Sequence, residues 1–321
     1  MIETSATAVR GQAFGLDLRA DFAIPGLPDA RADAELPDAV LHLADGPRID
    51  ARWPTGEATR ILAEGSDIDP DRTIDGHPDL GYRLFARYFG LCLVAPAGER
   101  LLCAPPPVPT WRWQRFLVGR CLPLAAMLRG YEVFHAGAVA IDGGVVAIVG
   151  PSGAGKTSLV LHLTVGGAGF VTDDVLVLDE DLRVHPGFGV VNLRAGEDER
   201  LESQARDELG AFLGQTGHDK RHYLLRSVPA SLPLAAVYFL LPAADEPAAT
   251  IAPLAAPEPL RLLTSTFIHQ VRPAPALARL LATCARMAAD VPMFEVRLGA
   301  AEGAAALAGR LGAHAAERAS R

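Results

Sequence analysis

Lysine is almost absent from this sequence. Of the 30 basic residues only Lys156 and Lys220 are lysines, so arginine supplies nearly all of the positive charge. The compact ammonium of lysine and the planar guanidinium of arginine are not interchangeable where a charge must fit among phosphate oxygens. Each of the two lysines is therefore informative about function.

Cysteine and long hydrophobic runs are also scarce. The 4 cysteines are far apart in sequence and form no C-x-x-C pair, which argues against a zinc knuckle or a disulfide framework and favours a reducing cytoplasm. The longest apolar runs, residues 145–149 and 232–244, are too short or too interrupted by proline to span a bilayer. Residues 1–20 lack the apolar stretch of a signal peptide. We therefore expect a cytoplasmic protein with no membrane partner.

Charge and composition narrow the function classes further. The net charge is −8 and no extended basic run is present, so the sequence carries no electrostatic footprint for nucleic acid. Hydrophobic residues make up 50% of the chain, which is enough to bury at least one full core and excludes a disordered protein.

The chain is predicted to have two domains. Residues 1–104 consist of short alternating segments separated by Asp, Pro and Gly, which predicts a smaller β-rich or α+β domain. The prolines at 105–107 and 109 predict the linker, so the second domain spans residues 105–321. Residues 113–128 have helical spacing and are expected to form a helix, ended by Gly130, that packs onto the second domain.

The second domain has an α/β pattern. Residues 138–141 and 145–149 predict two strands joined by the tight turn Asp142-Gly143-Gly144. A helix over 157–165, a strand over 169–172 and a buried strand over 235–241 come next, with amphipathic helices over 276–289 and 301–318 covering a sheet.

A complete phosphate-loop motif, G-x-x-x-x-G-K-T, connects the strand over 145–149 to the helix over 157–165. Its residues are Gly150, Pro151, Ser152, Gly153, Ala154, Gly155, Lys156 and Thr157, with Ser158 next in the helix. The glycines let successive N–H groups turn toward phosphate oxygens, Lys156 can reach the β and γ phosphates, and Thr157 can bind Mg²⁺. The motif predicts ATP and Mg²⁺ as cofactors.

Other phosphate-loop classes fit the sequence less well. A GTPase should carry an N-K-x-D guanine reader, and neither lysine lies in one. A transport cassette should carry an L-S-G-G-Q-like signature, and the sequence has none after the loop. The catalytic groups are therefore expected among other residues of the second domain.

Two adjacent acids and one histidine complete the candidate site. Asp173 and Asp174 come directly after the 169–172 strand, which we expect to lie beside the loop strand in a parallel sheet, so that both carboxylates face the γ-phosphate. One acid could hold Mg²⁺ while the other accepts the proton of an attacking hydroxyl. His135 stands at the start of the strand paired with the loop strand, where a structural role alone would also be ordinary.

Taken together, His135-Ala136-Gly137, the strand pair, the phosphate loop and Asp173-Asp174 resemble the kinase core of the HPr kinase/phosphorylase family over about residues 129–195. The resemblance implies a fold related to phosphoenolpyruvate carboxykinase and phosphorylation of a serine on a small protein. It also implies that Lys156 and Thr157 handle phosphates and Mg²⁺, that Asp173 is the acid on the metal side, and that Asp174 is the general base. His135 would be a supporting residue near the transferred group.

The chain also departs from that family. Bifunctional members carry a Glu-Ile-Arg-Gly type segment after the acids, whereas this chain has residues 185–189, His-Pro-Gly-Phe-Gly, which leaves HPr as the substrate and the reverse reaction open. The later pattern around Lys220 and Arg221 looks like HPr-kinase relatives in peptide-maturation systems, including lasso-peptide clusters. Lys220, Arg221 and Arg194 are candidate phosphate or substrate contacts, and each could equally be a solvated surface cation.

The sequence therefore predicts an ATP- and Mg²⁺-dependent kinase acting on a serine of a peptide or small protein, such as a ribosomally made precursor peptide. Residues 1–104 are expected to form a substrate-recognition or assembly surface, or else a plain structural extension. A nucleotide-binding sensor and a small-molecule kinase are the alternatives. The acceptor, the choice between ATP and GTP, and a homo-oligomeric state stay open.

Overall fold

The computed structural model describes residues 8–30, 36–54, 56–65, 70–201, 206–216, 220–242, 249–254, 259–267, 269–299 and 303–319. The fold divides into two compact units, Met1–Tyr131 with Ile268–Arg272, and Glu132–Phe267 with Pro273–Arg321. This division falls after Tyr131, whereas the sequence placed it near residue 104.

The first unit is built on one mixed sheet. Its order is β1-β2-β3-β8-β7-β6-β5-β4, with β3 parallel to both β2 and β8 and every other pair antiparallel. The strands are β1 (Val9–Ala13), β2 (Leu16–Ala20), β3 (Ala39–Leu43), β4 (Thr59–Gly65), β5 (Pro70–His77), β6 (Gly81–Ala86), β7 (Gly90–Val94) and β8 (Arg100–Ala104). A short helix, α1 (Gly46–Asp50), comes after β3.

The predicted helix after the prolines exists but belongs to the first unit. It runs as α2 (Thr110–Phe116), a π-helical turn (Leu117–Cys121) and α3 (Leu122–Leu128), and ends before Gly130 at φ 105°. The sequence instead predicted that it packs onto the second domain. Its buried Trp113 ring meets Phe22 edge to face at 5.1 Å, and Gln114 donates to the carbonyl of Ala23, so its apolar face is covered by the first unit.

Three cysteines that are distant in sequence meet in the first unit. Cys92 on β7 and Cys103 on β8 are cross-strand partners with Sγ atoms 4.0 Å apart. The neighbouring Cys92 thiol and burial raise the pKa of Cys103, and Cys121 is also fully buried. These thiols are free and packed as small apolar side chains.

The second unit holds a large mixed sheet and a small antiparallel one. The large sheet runs β12-β10-β11-β18-β14-β13-β9, with β20 beside β18 and β19 beside β20, and the small one runs β15-β17-β16. The strands are β9 (Glu132–Phe134), β10 (Gly137–Ile141), β11 (Gly144–Val149), β12 (Gly169–Thr172), β13 (Leu176–Leu178), β14 (Arg183–His185), β15 (Val190–Arg194), β16 (Phe212–Thr216), β17 (Lys220–Leu224), β18 (Leu232–Pro242), β19 (Thr250–Pro253) and β20 (Met293–Leu298).

Helices cover both faces of the large sheet. They are α4 (Lys156–Val165), α6 (Pro259–Leu263), α7 (Ala274–Asp290) and α8 (Ala304–Ala319), while the short α5 (Glu197–Arg200) packs on β15 of the small sheet. A 3₁₀ turn (His269–Val271) belongs to the first unit. Alternate residues of β11 divide between two cores: Ile148 packs in the core that includes α4 and α8, and Ala147 in the core that includes α7. Both faces of β11 are therefore buried, which explains its uninterrupted apolar sequence.

The hairpin that leads into the loop forms as predicted. Ile141 pairs with Gly144 across a two-residue turn, and Asp142 and Gly143 take positive φ values of 48° and 80°. Both central residues of such a turn need positive φ, which is why Asp-Gly marks it in the sequence.

The neighbour predicted for β12 is wrong. β12 pairs with β10 in the antiparallel sense, and β10 lies between it and β11. Because β12 is antiparallel to β10 and β10 is antiparallel to β11, β12 still runs parallel to β11, with one strand between them. Its carboxyl end therefore lies at the same edge of the sheet as the loop.

None of the helices in the described ranges combines the length and the apolar character needed to cross a bilayer.

Candidate active site

The glycine-rich loop (residues 150–157) joins β11 to α4 in the predicted order. Gly153 and Gly155 adopt left-handed φ values of 84° and 86°, which are strained for other residues. The Lys156 ammonium donates to the carbonyl oxygens of Gly150 and Pro151, at 2.8 and 3.2 Å. The loop therefore curls around its own lysine at the N-terminus of a ten-residue helix, an arrangement that suits an anion.

The two acids after β12 occupy different environments. Asp173 is buried, and its Oδ2 accepts hydrogen bonds from the main-chain N–H and the side-chain amide of Asn192, at 2.9 and 2.7 Å. The Asn192 amide also donates to Oδ2 of Asp174 at 3.1 Å. Asp174 lines an open cavity and the buried Asp173 does not, whereas the sequence predicted that both carboxylates face the γ-phosphate.

Burial and the negative charge of Asp174 raise the pKa of Asp173 to about 7. Hydrogen bonds from Thr157 and Asn192 oppose this shift without cancelling it. A buried carboxylate beside a second acid is costly to ionise unless a cation is near. The surrounding protein groups therefore do not fully offset the free-energy cost of ionising Asp173.

The surroundings of Asp173 fit Mg²⁺. Oδ1 of Asp173 is buried and accepts no hydrogen bond of normal geometry, while the Thr157 hydroxyl is close enough to lower the pKa of this carboxyl. Within the described ranges no group of three or more His, Cys, Asp or Glu side chains is arranged to hold a metal. Mg²⁺ typically uses one or two protein oxygens and completes its shell with waters and phosphates, so one carboxylate and one hydroxyl suffice.

His135 is fixed beside Asp174. Its Nδ1 lies 3.1 Å from the carbonyl oxygen of Asp174, and since a carbonyl can only accept, Nδ1 carries the proton. The ring stacks on Phe267 at 6.2 Å, and the main-chain N–H donates to the carbonyl of Ser265 at 2.6 Å. His135 lies just before β10 and lines the same cavity as Asp174.

The small sheet brings two of the three candidate cations to the cavity. Arg194 on β15 and Lys220 on β17 are cross-strand partners, and both line the cavity. Arg221 is one residue along and therefore points to the other face of the sheet, where it pairs with Asp198 at 2.6 Å. The structure does not bring Arg221 to the site.

The cavity is open to solvent and has a volume of about 120 Å³. Lys156, Arg194 and Lys220 supply positive charge to it, against Asp174 and Glu197. Burial lowers the pKa of Lys156, while the charges of Asp174 and Asp173 act in the opposite direction. The lining residues are His135, Ser152, Gly153, Gly155, Lys156, Thr157, Ser158, Asp174, Asn192, Arg194, Glu197 and Lys220.

Three residues of the predicted loop are not among those that line the cavity. Gly150 and Pro151 contribute the carbonyl oxygens that hold Lys156, and Ala154 packs against the core. They shape the loop without lining the cavity.

Sequence reasoning missed Asn192, Glu197 and His222. Asn192 contacts both acids, Glu197 accepts from the main-chain N–H of Arg194 at 2.9 Å, and His222 bonds to Asn192. The available signal was the alternation of Asn192 with Arg194 and of Lys220 with His222, which places each pair on one face of a strand. The 185–189 segment lies directly before β15, and its His185 pairs with Asp179 at 2.9 Å.

Comparisons with known proteins give a distant structural likeness. No family model and no curated protein matches the chain. Solved structures do match, among them the Hpr(Ser) kinase/phosphatase from Coxiella burnetii, at 14% identity over 57% of this chain and 95% of that one, with a TM-score of 0.29. A likeness at that score is too weak to assign a function, so the assignment of function to this chain rests on the site geometry and on the motifs.

Proposed function

We propose that this protein is an ATP- and Mg²⁺-dependent kinase. One observation carries the proposal: Lys156 and Thr157 of the glycine-rich loop and Asp174 line one open cavity, and the buried Asp173 is within hydrogen-bond reach of Thr157. A pure nucleotide sensor needs a carboxylate for Mg²⁺ but has no use for a second one facing the nucleotide. The pair of acids therefore favours phosphoryl transfer.

The residues that would bind Mg-ATP are those of the loop and of the buried acid. The loop N–H groups and Lys156 would hold the β and γ phosphates, and the Thr157 hydroxyl and Asp173 would hold the metal. When bound, Mg²⁺ neutralises charge on the phosphate oxygens as the transfer proceeds. Arg194 and Lys220 also line the cavity and would stabilise charge on the transferred group.

Asp174 would act as the general base. It accepts the proton of the attacking hydroxyl, whose oxygen forms a bond to the γ-phosphorus. The bond from the γ-phosphorus to the β–γ bridging oxygen breaks, and its electron pair leaves with ADP. His135, bound to the main-chain carbonyl of Asp174, would keep this stretch of chain in place.

The acceptor is proposed to be a serine hydroxyl of a peptide or small protein. This part rests on the resemblance of His135-Ala136-Gly137, the loop and Asp173-Asp174 to the HPr kinase family. A small-molecule kinase would share the same core and differ only in its acceptor pocket.

The test is a search for the acceptor in host extract. Extract is treated with ATP labelled with ¹⁸O in the γ-phosphate, Mg²⁺ and either wild-type protein or Asp174→Asn, and phosphopeptides are compared by mass spectrometry. We expect labelled phosphoserine confined to one or a few peptides and dependent on Asp174. No difference between the two proteins, with nucleotide binding intact, would contradict a peptide kinase and favour the sensor or a small-molecule acceptor.

A further inference from the structure

A chain of three polar side chains leads from the small sheet to the two acids. Thr216 Oγ1 on β16 lies 2.7 Å from Nε2 of His222 on β17. Nδ1 of His222 lies 2.6 Å from Oδ1 of Asn192 on β15, and the Asn192 amide nitrogen reaches both Asp173 and Asp174. His222 is completely buried.

The hydrogen-bonding roles in this chain are fixed by chemistry. Oδ2 of Asp173 already accepts the main-chain N–H of Asn192, so the Asn192 side chain turns its NH₂ group toward the two acids and its oxygen toward His222. His222 must then carry a proton on Nδ1, and the Thr216 hydroxyl can donate to Nε2 of the neutral ring. A reversed amide would set its oxygen against two carboxylates and its NH₂ against an N–H donor.

The strand register makes this arrangement possible. Asn192 and His222 are cross-strand partners, and the side chains of both face the acids rather than the opposite face that holds Arg221. Asn192 is also tied by its main chain, since its N–H donates to Asp173. A change at His222 would therefore act on the side-chain amide while leaving this main-chain bond in place.

We propose that Thr216, His222 and Asn192 form a positioning chain that orients the carboxylates of Asp173 and Asp174 for Mg-nucleotide, an inference that rests on the proposed function. Thr216 contacts His222 and His222 contacts Asn192, so both would act through Asn192. Groups that orient metal-binding side chains in this way commonly change metal affinity about 10- to 100-fold when they are removed.

The test measures how much Mg²⁺ strengthens nucleotide binding. The dissociation constant of a fluorescent ADP analogue is measured with Mg²⁺ and with EDTA in the full-length protein. For His222→Leu and Asn192→Ala we expect about a tenfold or greater loss of the Mg²⁺-dependent gain in affinity. In His222→Leu the affinity in EDTA should stay within about twofold of wild type, because His222 does not line the cavity and the loop and Lys156 are unchanged.

Conservative variants separate positioning from packing. An asparagine at 222 can place an N–H donor near the position of Nδ1, so His222→Asn should recover part of the lost gain where His222→Leu does not. Thr216→Val should reduce the gain and Thr216→Ser should keep it. Thr164→Val is the matched control, because that hydroxyl bonds to the helix carbonyl of Val160, at 2.9 Å, away from the acids.

Thermal unfolding of each variant shows which results come from folded protein. If His222→Leu does not fold, the Thr216 pair, on a partly exposed strand, decides the question. A Mg²⁺-dependent gain that persists unchanged in folded His222→Leu or Thr216→Val would overturn the positioning chain alone. Wild-type protein that binds the analogue equally well in Mg²⁺ and EDTA would overturn the proposed function, and the positioning chain with it.

Discussion

At the scale of single residues, Lys156 is the side chain on which nucleotide binding depends most. Its ammonium is held by Gly150 and Pro151 at the mouth of the loop, where the β and γ phosphates would lie. We predict that Lys156→Ala abolishes tight Mg-nucleotide binding, measured with a fluorescent ATP analogue. Arg226→Ala, which removes an exposed cation from outside the cavity, is the control. Unchanged affinity in folded Lys156→Ala protein would show that the loop does not bind phosphate.

His135 is expected to affect turnover more than binding. It holds the main chain of Asp174 by one hydrogen bond, worth about 1 kcal/mol. We predict that His135→Ala lowers the transfer rate about three- to tenfold while ATP affinity changes less. Equal losses in rate and affinity would point to a structural histidine.

Asp173 should make the metal-free protein sensitive to pH. Its pKa in the fold is about 7, against an ordinary value of 3.8, so the folded state binds more protons than the unfolded state between these values. The stability it contributes is present below about pH 3.8 and is lost as pH rises to about 7.

The corresponding variant removes this loss. We predict that Asp173→Asn, which cannot ionise, raises the unfolding temperature relative to wild type more at pH 8 than at pH 5, in EDTA. Asp181→Asn, an exposed carboxylate on the β13–β14 turn, should show no such difference between the two pH values. A pH-independent effect of Asp173→Asn would mean that this carboxyl titrates normally.

At the scale of secondary-structure elements, the small sheet decides which cations serve the site. Arg194 and Lys220 share one face, and Arg221 lies on the other with Asp198. We predict that Arg194→Gln and Lys220→Gln each weaken Mg-ATP binding about tenfold, the value of one charge-assisted contact, while Arg221→Gln leaves it within about twofold. Isothermal titration of the three variants tests this, and a larger effect for Arg221→Gln would refute the assignment of faces.

Local elements could be predicted from the sequence, and their partners could not. The hairpin around Asp142-Gly143, the loop and α4 depend on turn chemistry and on periodicity within about 30 residues, so the sequence marks them directly. The pairing of β12 with β10 and the meeting of Asn192 with His222 depend on contacts between distant segments. The general region of the site was therefore predicted, while the positioning chain was not.

At the scale of the whole molecule, the two units provide separate spectroscopic signals. All 3 tryptophans, Trp53, Trp111 and Trp113, belong to the first unit, whereas the candidate site belongs to the second. A ligand stabilises the unit that binds it, by about 2.7 kcal/mol at 100 times its dissociation constant. We predict that Mg-nucleotide raises the midpoint temperature of unfolding measured by circular dichroism. The midpoint temperature measured by tryptophan fluorescence should not change. A common shift of both signals would show that the units unfold together.

The boundary between the units and the predicted linker fall at different places in the chain. Prolines at 105–107 and 109 predicted a linker, but the helical segment after them buries Trp111 and Trp113 within the first unit. Proline marks the end of β8, whereas the unit boundary depends on where the next apolar face is buried. Only the three-dimensional packing shows where that apolar face is buried.

The central claim is that Asp174 takes the proton in phosphoryl transfer from Mg-ATP. The most direct test is the rate at which Asp174→Asn transfers the γ-phosphate to the host peptide fraction at saturating Mg-ATP, with nucleotide affinity measured on the same preparation. Because a general base typically contributes about 10²- to 10⁴-fold, we predict a loss of that size with affinity within about threefold of wild type. Transfer at the wild-type rate in folded, nucleotide-binding Asp174→Asn protein would contradict the account.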